Sequence, residues 1–120
     1  MNPRIDSTKF GSITIAGRKF QHDVIIRLDG KIEKRKKKLS KAIYGTSHII
    51  SLDEARYVYE EGAEQLVIGA GQFGRVKLSE DAENFFKKKR IQVALMPTQM
   101  AMETWNSAKA AIIGLFHVTC

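Results

Sequence analysis

The residues best suited to chemistry gather around one turn. Gly69-Ala70-Gly71-Gln72-Phe73-Gly74 follows Gln65-Leu66-Val67-Ile68, and a buried strand that empties into glycines is where α/β proteins usually place ligands. Each glycine can adopt positive φ and bring backbone close to a ligand, and successive free N–H groups form a concavity suited to anions. A tight strand exit in which glycine only avoids steric clash would look the same. The letters also spell G-x-G-x-x-G, but a dinucleotide site needs a helix opening at the glycines and an acid about 20 residues on. Arg75-Val76-Lys77-Leu78 intervenes before the helix signal at Ser79, and the next strand ends in Leu95-Met96-Pro97 without an acid.

Around this turn the sequence offers Asp23 and His48 as candidate bases. Gln72, Thr98 and Asn106 are neutral groups that can hold the polar edge of a ligand or satisfy buried backbone. An amide within a helix loses propensity unless something uses it, which singles out Asn106. His48 and His117 have no ligand spacing to an acid, so both are read as structural histidines and no metal site is expected. His117 and Cys120 are an odd number of residues apart, so a continuous strand would place them on opposite faces and leave the thiol inert. No nucleophile, base and oxyanion donor assemble at credible spacing, and no cofactor is indicated.

The elements that would position these residues can be read in order. Residues 1–9 look like an arm that orders only by adding to a sheet edge. Ser12-Ile13-Thr14-Ile15 alternates as a half-buried strand, Ala16-Gly17-Arg18 turns into Lys19-Phe20, and Asp23 to Leu28 is a strand closed by Asp29-Gly30, which implies an antiparallel hairpin. Lys31 to Lys41 reads as an irregular or edge segment. Ser51 and Glu54 make a capping box for a helix whose stripe is Leu52, Ala55, Val58 and Tyr59 and which Gly62 ends; Asp53 and Glu54 serve its dipole. Ser79 caps a second helix with Ala82, Phe85 and Phe86 inward. Ile91 to Leu95 is a strand, Thr98 caps a third helix carrying Ala101, Thr104, Trp105 and Ala108, and Ile112 to Val118 is a last strand. The alternation predicts an α/β layered sheet in which the strand ends at Gly69 and Met96 lie side by side.

Composition bounds the rest. At 120 residues and 43% hydrophobic, the chain suits one domain, residues 1–120, burying roughly 65% of its unfolded surface. The apolar stretch Ala110 to Val118 falls short of the ~20 residues a membrane helix needs, and Met1-Asn2-Pro3-Arg4 has no signal-peptide core. With a single cysteine, Cys120, this points to a cytoplasmic protein without membrane attachment. The net charge of +7 sits largely in two runs, residues 31–41 and 87–90. Neither run interleaves aromatics for base stacking, so a solvated loop and a basic helix end explain them better than a nucleic-acid site.

Asp23-Val24-Ile25-Ile26 with Gly30, His48, Gly69-x-Gly71-Gln72-x-Gly74, Pro97-Thr98-x-x-Ala101, Trp105-Asn106 and His117-x-Thr119-Cys120 together resemble the Mth-domain family over about Ile13 to Cys120. Its eukaryotic members include the adipogenesis-associated Mth-domain protein and a mitochondrial complex I assembly factor. The resemblance implies a three-layer domain around a mixed sheet, with the final strand antiparallel to its neighbours and Asp23 in a recurring polar set. It implies assembly or signalling roles for some members and no established reaction. Ala70 and Trp105 depart from the commoner Thr and Tyr, and only Lys109 stands where members often place Arg before the last strand.

Three functions follow as expectations. The first is a non-enzymatic binding or adaptor domain whose glycine crevice (Gly69, Gly71, Gln72, Gly74, Thr98, Asn106) takes a small polar or anionic ligand or a protein partner. The second is an enzyme using Asp23 or His48 as base. The third is a nucleic-acid binder through the two basic runs. Oligomeric state is not legible.

Overall fold

Leu66, Ile68 and Ala70 turn to one face of a strand and Val67 to the other, and both faces are buried. That double burial makes this strand a centre of the molecule. The computed structural model describes residues 2–120. In chain order its elements are β1 (Ile5–Lys9), β2 (Ser12–Ile15), β3 (Arg18–Phe20), β4 (Val24–Ile26), β5 (Ile32–Lys34), α1 (Lys38–Tyr44) and β6 (Ile49–Ile50). There follow α2 (Leu52–Val58), β7 (Gln65–Ala70), β8 (Lys77–Leu78), α3 (Glu80–Lys88), β9 (Gln92–Met96), α4 (Thr98–Ser107) and β10 (Ile112–His117).

The central sheet has the order β5-β4-β10-β7-β9. β10 runs parallel to β7 and β7 parallel to β9, whereas β4 is antiparallel to both β10 and β5. The sheet is therefore mixed, but the last strand is not antiparallel to both neighbours as the resemblance implied. A crossover through α4 delivers β10 parallel beside β7.

Period-two alternation divides the core into two layers. Ile25, Leu66, Ile68, Ile113 and Leu115 face α2 and α3, where Ala55, Val58, Ala82 and Phe86 meet them. Val24, Ile26, Val67, Ile112 and Phe116 face Ala101 and Trp105 of α4 and Ile5, Ile13 and Ile15 of the N-terminal strands. No helix is long and apolar enough to cross a membrane.

The N-terminal arm does add to a sheet edge: β1 pairs antiparallel with β2, and β2 pairs with β3 across a tight turn at Ala16 and Gly17, both at positive φ. α4 holds the arm in place. Asn106 accepts from the Ile5 amide at 2.9 Å and donates to the Ile5 carbonyl at 2.8 Å, while Trp105 Nε1 donates to the Pro3 carbonyl at 2.8 Å.

Three local readings change. The segment 31–41 divides into the edge strand β5 and the short helix α1, after the turn signal Asp29-Gly30 has closed β4 onto β5. α2 ends at Val58, with Tyr59 already extended, so it stops short of Gly62. Its capping box is half made. Ser51 Oγ accepts from the Glu54 amide, but the Ser51 amide donates to Ser40 Oγ and the Glu54 carboxylate turns inward. The cap at Ser79 forms as expected, accepting from the Ala82 amide at 3.1 Å.

Candidate functional site

Strand register assembles the site. The β4–β5 hairpin pairs Val24 with Lys34, so the next pair outward is Asp23 and Arg35, joined by a bond from the Arg35 amide to the Asp23 carbonyl at 3.0 Å. On the other side Val24 pairs with Phe116, which brings His117 beside Asp23. His117 in turn pairs with Ala70, and Gly69 pairs with Met96. Asp23, Arg35, His117, the glycine turn and Thr98 therefore meet at one end of the sheet, the carboxyl end of β7, β9 and β10.

Asp23 is 1% exposed and fully engaged. Its Oδ2 accepts from Arg35 Nη1 at 2.9 Å and lies 2.7 Å from His117 Nδ1, and its Oδ1 accepts from the Val118 amide at 2.9 Å. Lys37 Nζ approaches Oδ2 at 3.7 Å. Burial alone would raise the carboxyl's pKa, but the His117 hydrogen bond and charge, the Val118 amide and Arg35 outweigh it and bring it down to about 2. An ionised carboxylate only accepts, so His117 carries its proton on Nδ1. With both oxygens hydrogen-bonded and its pKa so low, Asp23 is a weak base at neutral pH.

Arg35 extends the network inward. Its Nε and Nη2 fork onto Glu54 at 2.6 and 3.0 Å, and Nη2 also reaches the Ser47 carbonyl at 2.7 Å. Burial would lower the guanidinium's pKa, but Glu54 and then Asp23 raise it above its usual value. Sequence reasoning misses both Arg35 and Glu54. It assigns Arg35 to a solvated basic run and Glu54 to the helix dipole, yet they are 4% and 0% exposed. One signal is available: Arg35 is the only arginine among the lysines of residues 31–41, and a planar guanidinium suits a buried carboxylate where an ammonium does not.

His48 and His117, read from the sequence as structural histidines, converge edge to face with ring centroids 5.4 Å apart. β10 ends at His117, so strand alternation does not govern Cys120, whose Sγ turns to within 3.9 Å of His48 Nε2. Partial burial, then the charges of His117, Arg75, Arg35 and Lys37, push the His48 pKa below its usual value. Thr119 Oγ1 lies 3.2 Å from His117 Nε2, within hydrogen-bond distance. Among the described residues no three His, Cys, Asp or Glu side chains converge in a way that could hold a metal ion.

The glycine turn is occupied by the chain itself. The Gly71 amide donates to Thr98 Oγ1 at 2.9 Å, and Thr98 Oγ1 donates to the His117 carbonyl at 2.7 Å. The Gln72 amide donates to the Thr119 carbonyl at 2.7 Å, and Gln72 Nε2 reaches Thr8 Oγ1 at 3.3 Å. A Cβ on Gly71, at φ +95°, would stand 2.7 Å from the Cys120 backbone; one on Gly69 would stand 2.9 Å from Phe116 and Thr98; Gly74 packs on Pro97. Thr98 is the first residue of α4 and no side-chain cap, because its hydroxyl ties β7 to β10. Asn106 lies two turns away at the other end of α4.

Open space lies beside the turn. A recess of about 650 Å³ is lined by Gln21, His22, Asp23, residues 34–38, Val118 and Thr119. The only acid in its lining is Asp23, which is ion-paired with Arg35, a guanidinium it shares with Glu54. Lys36 stretches over the Tyr57 ring, 4.5 Å from its centroid, whereas Lys34 and Lys38 are exposed and Lys37 is half-buried. The glycine turn thus shapes the recess indirectly, by seating Thr119, which walls it together with Val118.

A family model described as "Protein of unknown function (DUF498/DUF598)" matches residues 5–111. The chain belongs to this family. It is 31% identical to the conserved hypothetical protein PH1505 from Pyrococcus horikoshii OT3, covering 98% of this chain and 99% of that one with a TM-score of 0.91. It is 30% identical to a protein described as MT938, covering 99% and 100% with a TM-score of 0.81. A Bordetella pertussis protein described as a Mth938-like domain shares the fold at 14% identity, with coverage of 97% and 85% and a TM-score of 0.64. These likenesses place the chain in the Mth-domain family.

Proposed function

We propose that this protein is a binding domain for a small anionic ligand, seated in the recess over Asp23 and Arg35. The observation that carries this reading is the recess lining, in which Lys34, Lys37 and Lys38 stand around a single acid, Asp23, that is buried and ion-paired with Arg35. Arg35 is fixed by Glu54 and Asp23 at the base, and the lysines at the rim are solvated and adaptable. A preorganised floor with a cationic rim suits a phosphate or carboxylate group. The glycine residues take part by holding Thr119 and Cys120 in place. An adaptor role in the cytoplasm, in which the ligand is the acidic tail of a partner, uses the same chemistry.

Native mass spectrometry of gently purified protein tests the reading. Added mass that is retained natively, lost on denaturation and absent from a Lys34→Ala/Lys37→Ala variant is the expected result. Identical retention by wild type and variant would contradict it.

One observation favours a second reading, an enzyme with His48 as base. The imidazole, favoured in its neutral form, stands beside the Cys120 thiol. In that case iodoacetamide alkylation of Cys120 slows in His48→Gln; an unchanged rate contradicts it. Against the nucleic-acid reading stands the placement of the two runs: residues 31–41 include edge strand β5, and residues 87–90 lead into the opposite edge, β9.

A further inference from the structure

We infer that β9 is a docking edge for an extended, acidic segment of another protein, which adds to the central sheet as a further strand. β9 pairs only with β7. The Gln92 amide donates to the Glu64 carbonyl at 3.1 Å, so Gln92, Ala94 and Met96 turn their main-chain groups toward β7. By alternation, the N–H and C=O of Val93 and Leu95 point outward along the open edge.

The two edges of the sheet differ in protection. β5 is three residues long and carries Glu33, tied to Arg27 and Tyr57, and Lys34. Such charges discourage strand addition. β9 is five residues long, Gln-Val-Ala-Leu-Met, with an unbroken register and no charge. Leu95 is 38% exposed on it.

Beside this edge runs a groove of about 570 Å³ lined by Leu78, Phe86, Ile91, Val93 and Leu95, with Lys77 and Lys87 among its walls. Alternate side chains of an added strand would enter the groove, while its main chain bonds to Val93 and Leu95. The charge around the groove selects the partner. Lys77 and Lys87 stand at it, Arg90 follows α3, and the only acid in the lining is Glu83, paired with Lys87 at 3.3 Å. Two copies of this chain meeting here would oppose basic rims, so the complementary strand alternates apolar and acidic residues.

The test is a titration of the isotopically labelled full chain with a synthetic peptide alternating valine and glutamate, followed by amide shifts and by hydrogen exchange. Saturable shifts at Val93, Leu95 and Leu78, with slowed exchange of the Val93 and Leu95 amides, are expected. Leu95→Lys and Lys87→Glu, both at exposed positions, should each weaken binding about tenfold, as should exchanging the peptide's glutamates for lysines. Equal binding of the lysine peptide, shifts confined to residues 34–38, or a homodimer in sedimentation that Leu95→Lys dissolves would each overturn the inference.

Discussion

His117 Nδ1 lies 2.7 Å from Oδ2 of Asp23, a contact between two buried residues 94 positions apart in the chain. It ties β10 to the start of β4 and sets the floor of the recess. Since the Asp23 pKa falls from 3.8 to about 2 on folding, the unfolded chain takes up this proton first as pH drops. Asp23 therefore contributes stability that is present above the unfolded value and lost as pH falls toward the folded one, roughly 2 kcal/mol in all. Chemical denaturation of Asp23→Asn against wild type should show a stability gap at neutral pH that closes from about pH 4 toward pH 2. A gap independent of pH would show that the carboxylate is not held in this way.

Arg35 sits between two buried carboxylates, Asp23 and Glu54. Arg35→Met removes both ion pairs and leaves the acids uncompensated, so it should cost roughly 3–5 kcal/mol in urea denaturation. Adding Glu54→Gln to that variant should recover part of the loss, because one of the two stranded charges is gone.

His48 titrates below the ordinary 6.5 in the folded chain. The unfolded chain thus binds the proton at higher pH, and stability falls as pH drops through that window. A proton NMR titration of the His48 ring should give a midpoint below 6.5 that rises in Lys37→Ala, since Lys37 is one of the cations depressing it. A midpoint unmoved by the substitution would remove Lys37 from the local field.

At Gly71, positive φ and a contact of 2.7 Å to the Cys120 backbone leave no room for Cβ. Gly71→Ala should cost roughly 2 kcal/mol or more, by left-handed backbone strain alone before the clash is counted. It should also speed exchange of the Gln72 amide, whose acceptor Thr119 is displaced. Gly17→Ala, equally left-handed but with nothing within 4 Å, separates the strain from the displacement.

Much of the fold is legible in the sequence because local signals and core periodicity agree. Asp29-Gly30 closes β4 onto β5, Ser79 caps α3, and the unbroken apolar run Leu66-Val67-Ile68 marks a central strand. The site is less legible, because it depends on register between distant strands. Nothing local to His117 reveals that it faces Asp23, and Glu54 has the spacing of a capping box while its carboxylate is committed to Arg35. The glycines do lie at a strand exit next to Met96, but the Gly71 amide is used by Thr98 and the neighbouring Gln72 amide by Thr119, partners that only tertiary pairing supplies.

The central claim, an anion in the recess over Arg35, is tested most directly by titrating the labelled protein with inorganic pyrophosphate and following its amide resonances. Saturable shifts at His22, Lys34 to Lys38 and Thr119, weakened by added salt and lost in Lys34→Ala/Lys37→Ala, are the predicted result. Shifts that stay linear with concentration, or that appear equally in the double variant, would contradict it.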